Sequence, residues 1–169
     1  MMQAINYNLQ SLKYNEAKTY LTAALFTVGN IAMPQLFHLL PLGGLIWLPI
    51  YFFTLIGAYK YGWRVGLLTA VASPVVNSLL FGMPLPAVLP SILIKSVLLA
   101  LIAGVVAQRS LKVSILHLLG VVLAYQLLGT LGEWAIVGDL GVAFQDFRIG
   151  VPGMLLQVIG GYLALRLLP

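Results

Sequence analysis

The sequence predicts an all-α integral membrane protein, a single bundle of six transmembrane helices with both termini in the cytoplasm. Three observations lead there. Of 169 residues, 61% are apolar and only 8% are charged, against about 25% charged in an ordinary soluble domain. Mean hydropathy is +1.02, and apolar runs recur from residue 17 to the C-terminus with short gaps. These runs are continuous rather than alternating, which favours helices over barrel strands. The whole of 1–169 therefore reads as one domain, with 1–16, MMQAINYNLQSLKYNE, as a short polar lead-in that lacks the apolar core and cleavage site of a secretory signal.

A helix needs roughly 17 to 25 mostly apolar residues to span a bilayer, and punctuation by Gly, Pro and charge delimits six such segments. They are 17–37, 43–59, 63–82, 86–107, 113–135 and 150–168. The first carries Asn30, and the second, the shortest, carries Trp47 and Tyr51. In the third, Thr69, Ser73 and Asn77 recur every four residues and form one stripe beside the kinking residue Pro74. The fourth begins near Pro86 and places Ser91 and Lys95 on one face, with Lys95 roughly 13 Å in from its start. The fifth aligns Gln126, Thr130 and Glu133, followed by Trp134, and the sixth sets Gln157 between Gly153 and Gly161.

Orientation follows from the basic residues. Lys13, Lys18, Lys60, Arg64, Arg109, Lys112 and Arg166 all fall on one side, which is thereby cytoplasmic. The opposite side holds HLLPLGG, FGMPLP and VGDLGVAFQDFRIG, where Arg148 accompanies Asp139 and Asp146. That last connection is the longest and the better candidate for a lid. The net charge of +5 is scattered, without a basic helix or recognition motif, so a nucleic-acid partner is not expected.

Within the spans the polar side chains concentrate in the outer half, which describes a polar cavity open to the outside. Lys95 and Glu133 are the clearest ionisable residues away from the cytoplasmic ends. A lysine near mid-membrane costs about 2.5 to 3.5 kcal/mol and needs a partner or water. The two residues either bridge helices four and five, or meet a charged ligand with Lys95 opposing a carboxylate or phosphate. Ser91, Asn77, Gln126, Gln157 and Asn30 are further candidate contacts, although such residues also bond neighbouring helices without any ligand role. Trp47 and Trp134 stand either in the pocket wall or in the aromatic belt of the interface.

Several chemistries lack their residues. Cysteine is absent, which removes disulfides, thiol catalysis and Cys-ligated zinc. His38 and His117 have no companion at metal-ligand spacing and read as structural, so neither metal nor cofactor is expected. No Ser/His/Asp set, HExxH or paired carboxylates suggest an enzyme. No G-x-x-x-x-G-K-[ST] run occurs, so any ATP hydrolysis belongs to another chain.

The stretch LIWLPIYFFTLIGAYKYGWRVGLLTAVASPVVNSLLFGMPLPAVLPSILIKSVLLALIAGVVAQR, a helix-turn-helix followed by a Pro-rich outer loop and a lysine-bearing helix, resembles the substrate-binding S component of energy-coupling factor vitamin transporters. The resemblance implies a subunit of a prokaryotic cytoplasmic membrane. It would bind a small water-soluble vitamin or related micronutrient outside, and associate with a transmembrane coupling subunit and two ATPases. It also implies ligand contacts at Lys95, Glu133, Asn77, Ser91 and Gln157, with gates at 38–44 and 83–86. Where many members carry spaced Ala residues on helix one for the coupling subunit, this chain has Thr19, Ala23 and Thr27. The rival reading is a structural or assembly subunit resembling the rod-shape membrane protein MreD, which has no small-molecule ligand.

Overall fold

The computed structural model describes residues 9–168, and every regular element among them is helical. Helix α1 spans Ala17–Phe37, α4 Trp63–Phe81, α5 Leu89–Ser110 and α6 Ile115–Val137. These match four of the predicted segments closely. The last three are long and apolar enough to cross a membrane, and this is the basis for reading the chain as a membrane protein. Lipid-facing character is plain on α6, where Leu116, Leu119, Leu123, Leu127 and Leu131 are exposed along one flank. Unburied leucines at helical spacing suit a hydrocarbon solvent and not water.

Helix ends follow local chemistry. Ser114 caps α6 by accepting a hydrogen bond from the Leu116 amide at 3.3 Å, and α4 and α6 stop at Gly82 and Gly138, whose φ of 67° and 74° favours glycine.

The predicted second segment, 43–59, is not one helix. It divides into α2, Gly43–Trp47, a 3-10 turn, Pro49–Tyr51, and α3, Phe52–Tyr61. Pro49 supplies no amide to continue the ladder, and Leu48 takes a left-handed φ of 47°. Leu42, at φ 54°, does the same on the other side of α2. The connection 138–150 holds two short helices, α7, Leu140–Ala143, and α8, Gln145–Ile149. The last predicted segment winds as α9, Val151–Leu155, a π turn, Leu156–Gly160, and α10, Gly161–Leu167.

Helix α5 is central, packed against α3, α4 and α6. Close approach depends on small residues: Gly66 of α4 lies on Ala58 and Ala100, and Gly104 of α5 lies on the Trp63 backbone. At one end of the bundle the Gln10 and Leu12 amides donate to the Lys60 and Tyr61 carbonyls at 2.8 and 3.0 Å. There the Tyr59 hydroxyl also donates to the Lys112 carbonyl at 2.7 Å. The basic turns thus gather at one end, and segments 38–45 and 82–88 lie at the other.

Candidate functional site

Lys95 points into the bundle and is 3% exposed. Its ammonium lies 2.5 Å from Glu133 Oε2 of α6 and donates to Asp146 Oδ2 of α8 at 2.8 Å. Its stem crosses α6 at Gly129, where a methyl group would stand 2.5 Å from Lys95 Cγ. Glycine is what lets the lysine reach across. The crossing lies on the α6 face that also carries Gln126, Thr130 and Glu133, because offsets of three and four residues share a face.

Around this centre the polar groups are incompletely paired. The Tyr125 hydroxyl donates to Gln157 Oε1 at 2.8 Å, and the Tyr125 and Tyr51 rings are 5.5 Å apart. Among the described residues, both amide atoms of Gln126, the Thr130 hydroxyl and Gln157 Nε2 are buried without a hydrogen-bond partner. Each such group costs about 1 to 3 kcal/mol if left dry. Gln157 belongs to the π turn, an irregularity common at functional sites.

A larger space lies toward the end of the bundle opposite the basic turns. A cavity of about 500 Å³ opens between the 38–45 and 82–88 segments, walled by Pro34, Leu42, Pro49, Ile50, Met83 and Ile92, with His38 and Asn77 as its polar side chains. Its two rims are the segments predicted as gates. Asn77 Oδ1 accepts from Gln35 Nε2 at 3.0 Å. Lys95 does not line this cavity, but the lining residue Ile92 precedes it by one turn of α5 and the lining residue Ile50 adjoins Tyr51, so the cavity wall and the charged centre are neighbours along the chain.

The structure separates the predicted contacts. Lys95 and Glu133 meet directly, Gln126 shares the α6 face that Lys95 crosses, Gln157 is tied to α6 through Tyr125, Ser91 is buried one turn before Lys95 on α5, and Asn77 joins the cavity. Asn30 is in contact with neither the Lys95 pair nor the cavity lining. It donates to Thr54 and Ser73 hydroxyls at 2.9 and 3.2 Å and accepts from the Phe53 amide at 3.0 Å, which makes it a clamp between α1, α3 and α4. Trp134 is 46% exposed on the outside of α6, away from both. Trp47 packs its ring 5.6 Å from Phe37 and its backbone on Gly153.

Thr19 and Ala23 are buried and Thr27 is partly so. The Thr69 hydroxyl reaches the Ala23 carbonyl at 3.4 Å. That stripe therefore faces α4, and the open face of α1 carries Tyr20, Leu21, Leu25 and Val28 instead. His38, read as structural, stands in the cavity wall.

Sequence reasoning missed Asp146 as a partner of Lys95. In the sequence it reads, with Arg148, as a loop charge, although its neighbours Phe144, Phe147 and Ile149 mark a short amphipathic turn. The Phe144 and Phe147 rings stack at 4.9 Å, and Asp146 is 9% exposed. No protein-family model, curated protein or solved structure matches this chain.

Proposed function

We propose that the chain is a membrane-embedded binding subunit for uptake of a small water-soluble nutrient, with six spans, both termini cytoplasmic, in a prokaryotic inner membrane. The observation that carries this reading is the 500 Å³ cavity under two outer segments. Ligand pockets of about 300 to 1,000 Å³ are mostly apolar with a few placed polar groups, and His38 and Asn77 supply those here. The gathering of basic turns at the opposite end supports the orientation. Segments α2 to α3 and α9 to α10 complete the spans as interrupted helices, a form tolerated where the backbone is buried or lines a cavity. Energy would come from separate coupling and ATPase chains, since this sequence has no nucleotide-binding loop.

Native mass spectrometry of the detergent-purified protein tests the reading. A small molecule should remain bound, and Ile92→Trp, which fills the cavity, should release it without unfolding the bundle. Affinity purification from the native host should bring an ATPase and a membrane partner along. The structural-subunit reading has its own support in the Asn30 clamp, where interior polarity serves packing. Absence of any retained molecule, together with co-purification of other membrane proteins and no ATPase, would favour it.

A further inference from the structure

The Lys95 centre has more acid than base. Among the described residues, one ammonium serves both Glu133 and Asp146, and no second cation pairs with either. With one positive and two negative groups the formal charge is −1. Two tyrosines lie nearby: the rings of Tyr51 and Tyr125 are buried and 5.5 Å apart, and Tyr125 is one turn of α6 from Gly129, where the lysine stem crosses. Gln126 and Thr130, on the α6 face the lysine crosses, and Gln157, in the π turn bonded to Tyr125, add buried polar atoms with no hydrogen-bond partner among the described residues.

A lysine in a membrane helix, considered alone, suggests an anionic ligand, and the assembled centre reverses that expectation. An added anion would leave the centre at −2 in a poorly screening interior. An added cation would bring it to neutrality. Carboxylates beside electron-rich rings are also the surroundings that favour an ammonium, through direct pairing and attraction to the ring face. Lys95 stands about one helical turn along α5 from the cavity-lining Ile92.

We infer that the ligand carries a positive charge, as a protonated or quaternary amine or as the ammonium of a zwitterion, which competes with Lys95 for Asp146 and Glu133. This rests on the binding-subunit reading and deepens it. Asp146 is the residue that reports it, because α8 belongs to the 138–150 connection and leaves Lys95 only by moving that connection.

The experiment uses two ring probes of opposite charge, benzyltrimethylammonium and benzoate, at millimolar concentrations. Thermal unfolding is followed for the purified wild type and for Asp146→Asn, which keeps the Lys95–Glu133 pair and so keeps the bundle folded. Benzyltrimethylammonium should raise the midpoint of the wild type and benzoate should not. In Asp146→Asn the same shift should need at least tenfold more probe. The molecule retained in native mass spectrometry should be a cation or zwitterion, lost from the variant even if the small probes bind too weakly to register. Stabilisation by benzoate, a retained pure anion, or an undiminished cation effect in Asp146→Asn would overturn the charge assignment and leave the binding-subunit reading intact. No retained molecule and no probe effect would overturn both.

Discussion

Lys95 and Asp146 lie 51 residues apart in the chain and 2.8 Å apart in space. The hydrogen bond ties the long 138–150 connection to the middle helix of the bundle. The connection is held by this contact and by Ala143, which is fully buried. It is a docked segment and not a loose loop.

Removing the cation should be costly. Lys95→Met leaves Glu133 and Asp146 facing each other without a counter-charge, and loss of one partner from a buried ion pair costs about 3 to 5 kcal/mol. The triple replacement Lys95→Met, Glu133→Gln, Asp146→Asn should recover most of that loss. Denaturant unfolding in detergent compares the two; equal stability of single and triple variants would contradict the coupling.

The Asp146 contact should control access to the connection. The chain has no cysteine, so Ala143→Cys introduces a unique thiol at a buried site. A charged hydrogen bond contributes about 1.5 to 3 kcal/mol, and 1.4 kcal/mol is a factor of ten in an opening equilibrium. Maleimide labelling of that thiol should therefore speed up at least tenfold, roughly, when Asp146→Asn is added. An unchanged rate would mean that packing alone seats α7 and α8.

Asn30→Ala should destabilise the α1, α3 and α4 contact. It strands the Phe53 amide and deprives the Thr54 and Ser73 hydroxyls of a partner, with an expected loss of about 2 to 4 kcal/mol at 1 to 3 kcal/mol per stranded group. Ligand retention per folded molecule should stay unchanged. A selective loss of retention would return Asn30 to the binding site.

Leu111→Gly should stabilise the protein. Leu111 caps α5 at φ 52° and is 69% exposed, with its amide donating to the Ala107 carbonyl at 3.0 Å. A left-handed non-glycine residue costs about 1 to 2 kcal/mol, so glycine there should add about 1 kcal/mol once its chain entropy is counted. Thermal unfolding would register this as a raised midpoint.

The four long helices were legible because continuous apolar runs bounded by Gly and by charge leave little else to form. The break at Leu48 and Pro49 was not. A proline with apolar neighbours is compatible with a kinked span, and only the left-handed turn at Leu48 makes it a division. Likewise the four-residue spacing of Gln126, Thr130 and Glu133 revealed a polar face, but spacing says nothing about which helix meets that face.

What the sequence alone determined is therefore one-dimensional: helical class, membrane-suited apolarity, the shared side of the basic turns, and the presence of Lys95 and Glu133 as ionisable residues inside apolar spans. Tertiary structure decided the rest. It brought Asp146 back to Lys95, turned the Thr19 and Ala23 stripe inward, spent Asn30 on packing, and put the cavity under two segments with no charge of their own. The physical reason is that hydropathy and periodicity are local sums along a chain, whereas pairing of a buried charge depends on the return path of a connection. A change of one residue in that path would aim a different side chain at the ammonium.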